Sequence, residues 1–116
     1  MDFAIEKNKL LSALTTLSKI NPSRTTLPIL STVLIKTSNS NSVVFRTTDL
    51  EVEMEIEIES KVLEEGETCA PIYKLLEISN TISEEVISIN VNETQRMRIT
   101  RKMLYYKGHW IRKYHR

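Results

Sequence analysis

Residues 47–60 alternate apolar and acidic side chains without interruption from Leu50 onward. The apolar positions are Leu50, Val52, Met54, Ile56 and Ile58, and the acidic positions between them are Glu51, Glu53, Glu55, Glu57 and Glu59. Because successive side chains of a strand point to opposite faces, this period of two predicts a long β-strand with one buried face and one acidic face. A helix would spread the same glutamates around its axis.

Two other segments place apolar residues at helical spacing. In the first, which begins near Lys9, the apolar stripe consists of Leu10, Leu11, Ala13, Leu14, Leu17 and Ile20. The second follows Pro71, a residue suited to the first turn of a helix, and its stripe consists of Ile72, Leu75, Leu76, Ser79 and Ile82. Both segments therefore predict amphipathic helices.

Shorter alternating or apolar segments predict the remaining strands. They are residues 2–5, 33–36, 43–46 and 68–70, followed by a pair in which Ile87, Ile89, Val91, Met97 and Ile99 face inward and Ser88, Asn90, Asn92, Arg96 and Arg98 face outward. The polar run 37–42 predicts a hairpin loop, residues 92–95 predict a turn, and residues 61–67 predict a charged connection. The single cysteine, Cys69, is expected to be a small buried residue of its strand.

The two halves of the chain resemble each other when the sequence is shifted by 65 residues. The shift aligns the Lys-Leu-Leu run that begins at Lys9 with the run that begins at Lys74, and it aligns Thr16 with Thr81. Each half then contains a short strand, a helix and antiparallel strands. We therefore predict an α+β domain of two pseudo-repeated strand-helix-strands units, with two adjacent helices packed on antiparallel sheets.

A chain of 116 residues is the size of one domain and can bury a core without a disulfide. It has one cysteine and no apolar run long enough for a signal peptide or a membrane span, so a cytoplasmic location is expected. No glycine-rich phosphate loop, nucleophile with a nearby base, or set of metal ligands is recognisable. We therefore expect no enzyme activity, no metal and no cofactor.

The formal net charge of +1 hides three segments of very different charge. Residues 1–46 contain six lysines and arginines against two acids, residues 47–95 contain two against thirteen, and residues 96–116 contain eight against none. This segregation predicts one acidic surface and separate basic surfaces. Nucleic acid, as a polyanion, would be steered away from the alternating strand.

In order and spacing, these elements and their motifs resemble the first domain of the bacterial sliding clamp family, the beta subunit of DNA polymerase III. The resemblance rests on the opening strand and helix, Arg24 with TLPIL at 26–30, TDLE at 48–51, Ala70-Pro71 with Lys74, and Arg96-Met97. It covers about the first hundred residues. On this basis we expect a clamp domain over residues 1–107 and a divergent basic and aromatic tail over residues 108–116.

The resemblance implies a non-enzymatic processivity factor of DNA replication. Family members have three such domains per chain, and two chains form a ring around double-stranded DNA with helices lining the hole. By position, Arg24 is implied to contact a phosphate from the edge of the hole, and Lys9 and Lys19 to face the duplex. Tyr73 and Asn80 stand where the family tends to have basic residues on the second helix, and Tyr73 is the DNA-binding candidate there.

The same resemblance implies a subunit interface and protein partners. Lys74, Arg96 and Tyr106 match positions at which a first domain meets the third domain of a neighbouring subunit. DNA polymerase III and clamp-loader subunits bind family members through a groove in the last domain, which this sequence does not contain. The chain is therefore expected to be truncated to the first domain, and self-association, for instance into a ring of six copies, stays open.

Residues 102–116 depart from the family pattern, with many cations and four aromatic residues. The aromatic residues are Tyr105, Tyr106, Trp110 and Tyr114. Up to about Lys107 the segment can form the closing strand, and beyond it strand alternation is lost. Two interpretations stay open. The tail binds single strands by stacking and phosphate contacts, in a stand-alone nucleic-acid-binding protein, or it is an out-of-frame end of a clamp fragment without a function.

Overall fold

The computed structural model describes residues 1–19, 32–38, 41–48 and 51–100, together with the backbone of residues 103–106 and 109–112. In chain order the elements are β1 (Asp2–Glu6), α1 (Lys7–Ser18), β2 (Thr32–Ser38), β3 (Ser42–Thr48), β4 (Glu53–Glu59), β5 (Lys61–Glu64), β6 (Gly66–Pro71), α2 (Ile72–Asn80), β7 (Val86–Val91), β8 (Met97–Thr100), β9 (Met103–Tyr106) and β10 (His109–Arg112). No helix of this described part is long and apolar enough to cross a membrane.

Strands β1–β8 form two antiparallel four-stranded sheets, and each half of the chain contributes its first strand to the sheet of the other half. The strand orders are β4-β3-β2-β6 and β5-β1-β7-β8. Ile5 of β1 lies opposite Ile87 of β7, and Ala70 of β6 lies opposite Val33 of β2. This exchange of strands is the pseudo-twofold arrangement that the internal similarity predicts, and it joins the two halves into one domain.

The two helices lie side by side and share one hydrophobic core with both sheets. α1 buries Leu10, Ala13, Leu14 and Leu17, and α2 buries Ile72, Leu75 and Ser79. The large strand residues that are fully buried are Phe3, Ile5, Val33, Ile35, Val43, Phe45, Ile87 and Ile89. Removal of this apolar surface from water is the main favourable term in folding. The predicted α+β class is confirmed.

Strand β4 alternates as predicted but is shorter than the pattern in the sequence. Its four glutamates are exposed, whereas Met54 and Ile56 are half-buried and Ile58 is buried. The prediction that Val52 faces inward is wrong, since this residue is 48% exposed. Val52 precedes the first residue of β4 that pairs with β3, so the pleat of the sheet does not set its direction. Leu50 lies outside the described residues.

Three expectations for the second half are wrong. Cys69 is exposed, because the register of β6 puts its neighbours Thr68 and Ala70 on the core face. Ser88 is buried and does not face solvent, since β7 is a central strand flanked by β1 and β8. Residues 61–67 are not a plain connection, because they contain β5, which pairs with the edge of β1 that β7 leaves open.

The predicted turns join paired strands, whereas strand structure continues further toward the C-terminus than the pattern predicts. β2 and β3 pair directly as a hairpin. At the turn before β8, the side-chain oxygen of Asn92 accepts hydrogen bonds from the backbone N–H groups of Thr94 and Arg96, each at 3.0 Å. The predicted loss of strand structure after residue 107 is wrong, because residues 109–112 form β10, which pairs with β9.

Gly66 lies where the start of β6 runs against Met1. A Cβ atom added at Gly66 would be 2.8 Å from Met1 Cβ and 3.1 Å from Met1 Cα, which is too close for non-bonded carbon atoms. Met1 is buried, and its amino group donates hydrogen bonds to the Val91 carbonyl oxygen at 3.1 Å and to Glu64 Oε1 at 2.9 Å. These bonds oppose a shift of Met1, so Gly66→Ala should destabilise the domain by about 1–3 kcal/mol.

Urea denaturation followed by circular dichroism measures this change. Glu67→Ala, at the exposed neighbouring position, is the control and should alter the free energy of unfolding by no more than about 0.5 kcal/mol. Equal urea midpoints for Gly66→Ala and the unsubstituted chain would show that Met1 can shift without a loss of stability.

Candidate nucleic-acid interface

The solvent face of α1 carries no acidic residue and has a lysine near each end. From this helix and its C-cap, the exposed residues are Asn8, Lys9, Ser12, Thr15, Thr16 and Lys19. The face is polar because the apolar residues at helical spacing occupy the core side. At 1.5 Å per residue, Lys9 and Lys19 lie about 15 Å apart along the helix. This surface is therefore weakly positive along its length.

The charge of Lys9 is partly compensated by a neighbouring acid. Its Nζ atom lies 3.7 Å from Glu6 Oε2, and the two side chains are 52% and 64% exposed. An ion pair with this much contact with water contributes little to stability, so a phosphate can compete for the lysine. Lys19 is the C-cap residue of α1, where a positive charge is favourable beside the terminal carbonyl groups.

Tyr73 connects the surface of α2 to that of α1. Its hydroxyl group donates a hydrogen bond to the Ser18 carbonyl oxygen at 3.4 Å, while the residue is 39% exposed. Because Lys19 follows Ser18 directly, Tyr73 and Lys19 come together where α1 ends. A phenol adds no positive charge at this place, and its single O–H can be donated to a phosphate only in exchange for the bond to Ser18.

The remainder of α2 is electrically balanced. Its exposed residues are Tyr73, Lys74, Glu77 and Asn80. Lys7 adds little to the helix surface, because its Nζ atom donates a hydrogen bond to the Ile82 carbonyl oxygen just after α2. Sequence reasoning missed this role of Lys7, and the separation of the two residues in the chain leaves no local signal for it. The positive charge of the helix side comes mainly from Lys9 and Lys19.

The outer face of the sheet β4-β3-β2-β6 is acidic. Arg46 on β3 pairs with two glutamates of β4: its Nη2 atom lies 2.6 Å from Glu55 Oε1, and its Nε atom lies 3.1 Å from Glu53 Oε1. The hydrogen bond and the charge of Glu55 raise the pKa of Arg46. The glutamates are spread along the strand, and no three potential metal ligands converge within the described ranges. With four glutamates on β4, this face repels phosphates.

Lys74 and Arg96 lie on the side of the domain where β6 and β8 are the last strands of their sheets. A groove of about 260 Å³ runs there, lined in part by Lys74, Leu75, Ile78, Gln95, Met97 and Ile99. The Thr68 hydroxyl group donates a hydrogen bond to Gln95 Oε1 at 3.1 Å, which links β6 to the turn before β8. Arg96 is exposed next to Gln95 in the chain but does not line this groove, whereas Lys74 does.

Of the two remaining predicted site residues, Arg24 and Tyr106, the structure describes only the backbone of Tyr106. Arg24 lies outside the described residues. Tyr106 belongs to β9, whose only sheet partner in the described part of the chain is β10, and its backbone pairs with His109. The strand expected before Lys107 is therefore present as β9, and its sheet partner is β10.

Solved structures with this fold include bacterial sliding clamps. Caulobacter crescentus pol III beta matches with a TM-score of 0.79 and 29% identity, over 86% of this chain and 27% of that chain. The DNA polymerase III subunit beta from Pseudomonas aeruginosa matches with a TM-score of 0.78 and 31% identity over the same shares. The fold, with its helix side and its acidic sheet side, is thus that of a sliding-clamp domain.

The chain belongs to the family described as DNA polymerase III beta subunit, N-terminal domain, whose family model matches residues 1–104. Among curated proteins, the beta sliding clamp of Chlamydia muridarum is 29% identical over 100 residues, which are 86% of this chain and 27% of that protein. The beta sliding clamp of Chlamydia pneumoniae is 28% identical over the same length. The chain spans about a quarter of the length of the relatives that it matches.

Proposed function

We propose that this chain acts as the first domain of a sliding clamp, a non-enzymatic processivity factor that surrounds double-stranded DNA as part of a ring. The observation that supports this best is the separation of charge. The solvent face of α1 has no acid, whereas β4 carries four glutamates on the outer face of its sheet. With helices inside the ring and sheets outside, the weakly positive surface faces the phosphates and the acidic surface faces away.

Sparse positive charge on the helix side suits a protein that must slide. Phosphate contacts keep a protein on the duplex without selecting a sequence, and each contact adds to a salt-dependent affinity. In this proposal Lys9 and Lys19 exchange phosphates as the ring moves, and Tyr73 donates its O–H to a phosphate in place of Ser18, without adding charge. Arg24 is assigned a phosphate contact from its family position alone.

The groove side with Lys74 and Arg96 is the proposed contact with a neighbouring subunit, and Tyr106 is retained there from its family position. Both charged residues lie beside sheet edges, so an acidic partner surface would complement them. Self-association offers such a surface, because the edge strand β4 of another copy carries four glutamates. Binding to DNA polymerase III and to clamp-loader subunits, and a cytoplasmic location, are proposed from family membership.

A chimera provides the test of this function. Residues 1–100 replace the matched segment of the Caulobacter crescentus sliding clamp, and the product is loaded onto a nicked circular plasmid. We expect the chimera to stay with the circle through gel filtration and to leave once a single cut makes the plasmid linear, because a ring slides off a free end. A folded, ring-forming chimera that leaves circular and linear DNA equally fast would contradict the proposal.

Reversing the charge of both α1 lysines should weaken binding of this chimera to a short duplex. Loss of two phosphate contacts in Lys9→Glu with Lys19→Glu should reduce the slope of log affinity against log salt concentration by about 1.8. Fluorescence anisotropy of a labelled duplex, titrated between about 50 and 200 mM salt, measures the slope.

The control is Lys36→Glu, which makes the same substitution once, at an exposed position of β2. This variant should keep the original slope, because it lies in the sheet and not on the helix side. Identical slopes for the control and the double variant would remove Lys9 and Lys19 from the proposed interface.

A further inference from the structure

The strands β9 and β10 form a hairpin whose hydrogen-bonded pairing is separate from that of the two large sheets, although β9 lies against β7. They make a two-stranded antiparallel sheet of their own, and neither strand extends β5-β1-β7-β8. A two-stranded hairpin with no further strands is at most marginally stable in water. Strand pairing within the two large sheets therefore does not account for its aromatic and basic residues.

The register of this hairpin brings aromatic residues to adjacent paired positions. Tyr105 lies opposite Trp110, and Tyr106 lies opposite His109. Successive positions of a strand belong to opposite faces, so each face of the hairpin has one pair of ring-bearing residues. Such cross-strand pairs stabilise a hairpin, and aromatic rings are also the groups on which unpaired bases stack.

The charge of the segment adds the second requirement for nucleic-acid binding. Residues 101–116 contain six lysines and arginines and no acid. Arg112 lies in β10 opposite Met103, two positions from Trp110 and on the same face of the hairpin. Aromatic platforms among cations are the usual means by which proteins bind single strands without sequence preference.

We propose that the β9–β10 hairpin binds single-stranded nucleic acid, with bases stacking on Tyr105 and Trp110 and with a phosphate held by Arg112. A duplex is a poorer ligand, since its base faces are already stacked on one another. This activity goes beyond the proposed clamp function and does not depend on it, because the hairpin lies outside the residues that the chimera contains.

Trp110 is the only tryptophan of the chain, so its fluorescence reports on the hairpin directly. The full 116-residue chain is titrated at low salt with oligo-dT, with oligo-U and with a duplex, each about 15 nucleotides long. We expect saturable quenching of the Trp110 fluorescence by at least one of the single strands. Its affinity should be at least about tenfold higher than that of the duplex. The two oligonucleotides show whether DNA or RNA is preferred. No quenching by either, or equal affinity for the duplex, would overturn the proposal.

Two substitutions separate stacking from simple charge attraction. Trp110→Leu keeps every charge and should weaken binding of labelled oligonucleotide by about tenfold, whereas Trp110→Phe keeps a ring and should restore most of the affinity. Arg112→Gln should lower the salt slope by about 0.7, and Lys36→Gln, in β2, should not. Circular dichroism confirms that each variant is folded. If folded Trp110→Leu binds like the unsubstituted chain, the tail binds by charge alone, and the proposed stacking site is refuted.

Discussion

Val43→Lys should unfold the domain, whereas Val44→Lys, the same change one residue later, should leave it folded. Val43 is completely buried and pairs with Ile58 of β4, so a lysine at this position would be a charge in the core without a partner. Leaving such a charge uncompensated costs about 3–5 kcal/mol. Val44 is half-buried on the outer face and pairs with Glu57, which can compensate a lysine there.

Thermal unfolding followed by circular dichroism separates the two variants. At a shift of about 4–8 °C per kcal/mol for a domain of this size, Val43→Lys should lose roughly 15 °C or more, if it folds at all. Val44→Lys should melt within a few degrees of the unsubstituted chain. A larger loss for Val44→Lys than for Val43→Lys would show that the faces of this sheet are assigned the wrong way round.

The second large effect is expected from Phe45→Ala. Phe45 is completely buried on β3, where it pairs with Ile35 of β2 and Ile56 of β4. Removing the ring leaves a cavity between both neighbouring strands and the helices, at a cost of about 3–5 kcal/mol. Since small domains are stable by about 5–15 kcal/mol in total, this change takes a large share of the folding free energy.

Chemical denaturation measures the free energy of unfolding of Phe45→Ala and of its control, Val44→Ala. Val44→Ala removes two methyl groups at a half-buried position and should cost about 1 kcal/mol or less. If both variants lost the same stability, the aromatic ring would not be part of the core that β2, β3 and β4 share.

Local periodicity was sufficient to predict the elements whose two faces differ strongly. The alternation of β4 and the apolar stripes of α1 and α2 each specify which side is buried, so these elements could be predicted from single segments. The similarity between residues 65 positions apart also predicted that the two halves have related structures. Where the pattern ran beyond the paired residues, as at Val52, the prediction failed, because only pairing with β3 holds a residue in the pleat.

Long-range pairing was the part that could not be predicted. β5 is rich in charge and resembles a loop, yet it becomes a strand because the edge of β1 beside it offers free backbone groups. Cys69 faces outward because of the register between β6 and β2, which no pattern within β6 reveals. β9 pairs with β10 and not with β8, although its sequence suits either partner.

The candidate site could be predicted only in part. Helical spacing predicts that Lys9 and Lys19 lie on the solvent side of α1, and both are exposed there. Tyr73, a candidate by its family position, is exposed on α2. The contacts that modify them do not follow from spacing. The proximity of Glu6 to Lys9 and the hydrogen bond from Tyr73 to Ser18 depend on rotamers and on the packing of one helix against the other.

Photo-crosslinking from each side of the ring tests the proposed orientation most directly. In the chimera, Cys69→Ser removes an exposed thiol, and Lys19→Cys or Glu57→Cys then carries a benzophenone. We expect crosslinks to circular duplex from position 19 on the helix side and none from position 57 on the sheet. Crosslinks from position 57 without any from position 19 would place the glutamates against the DNA and contradict the proposed clamp orientation.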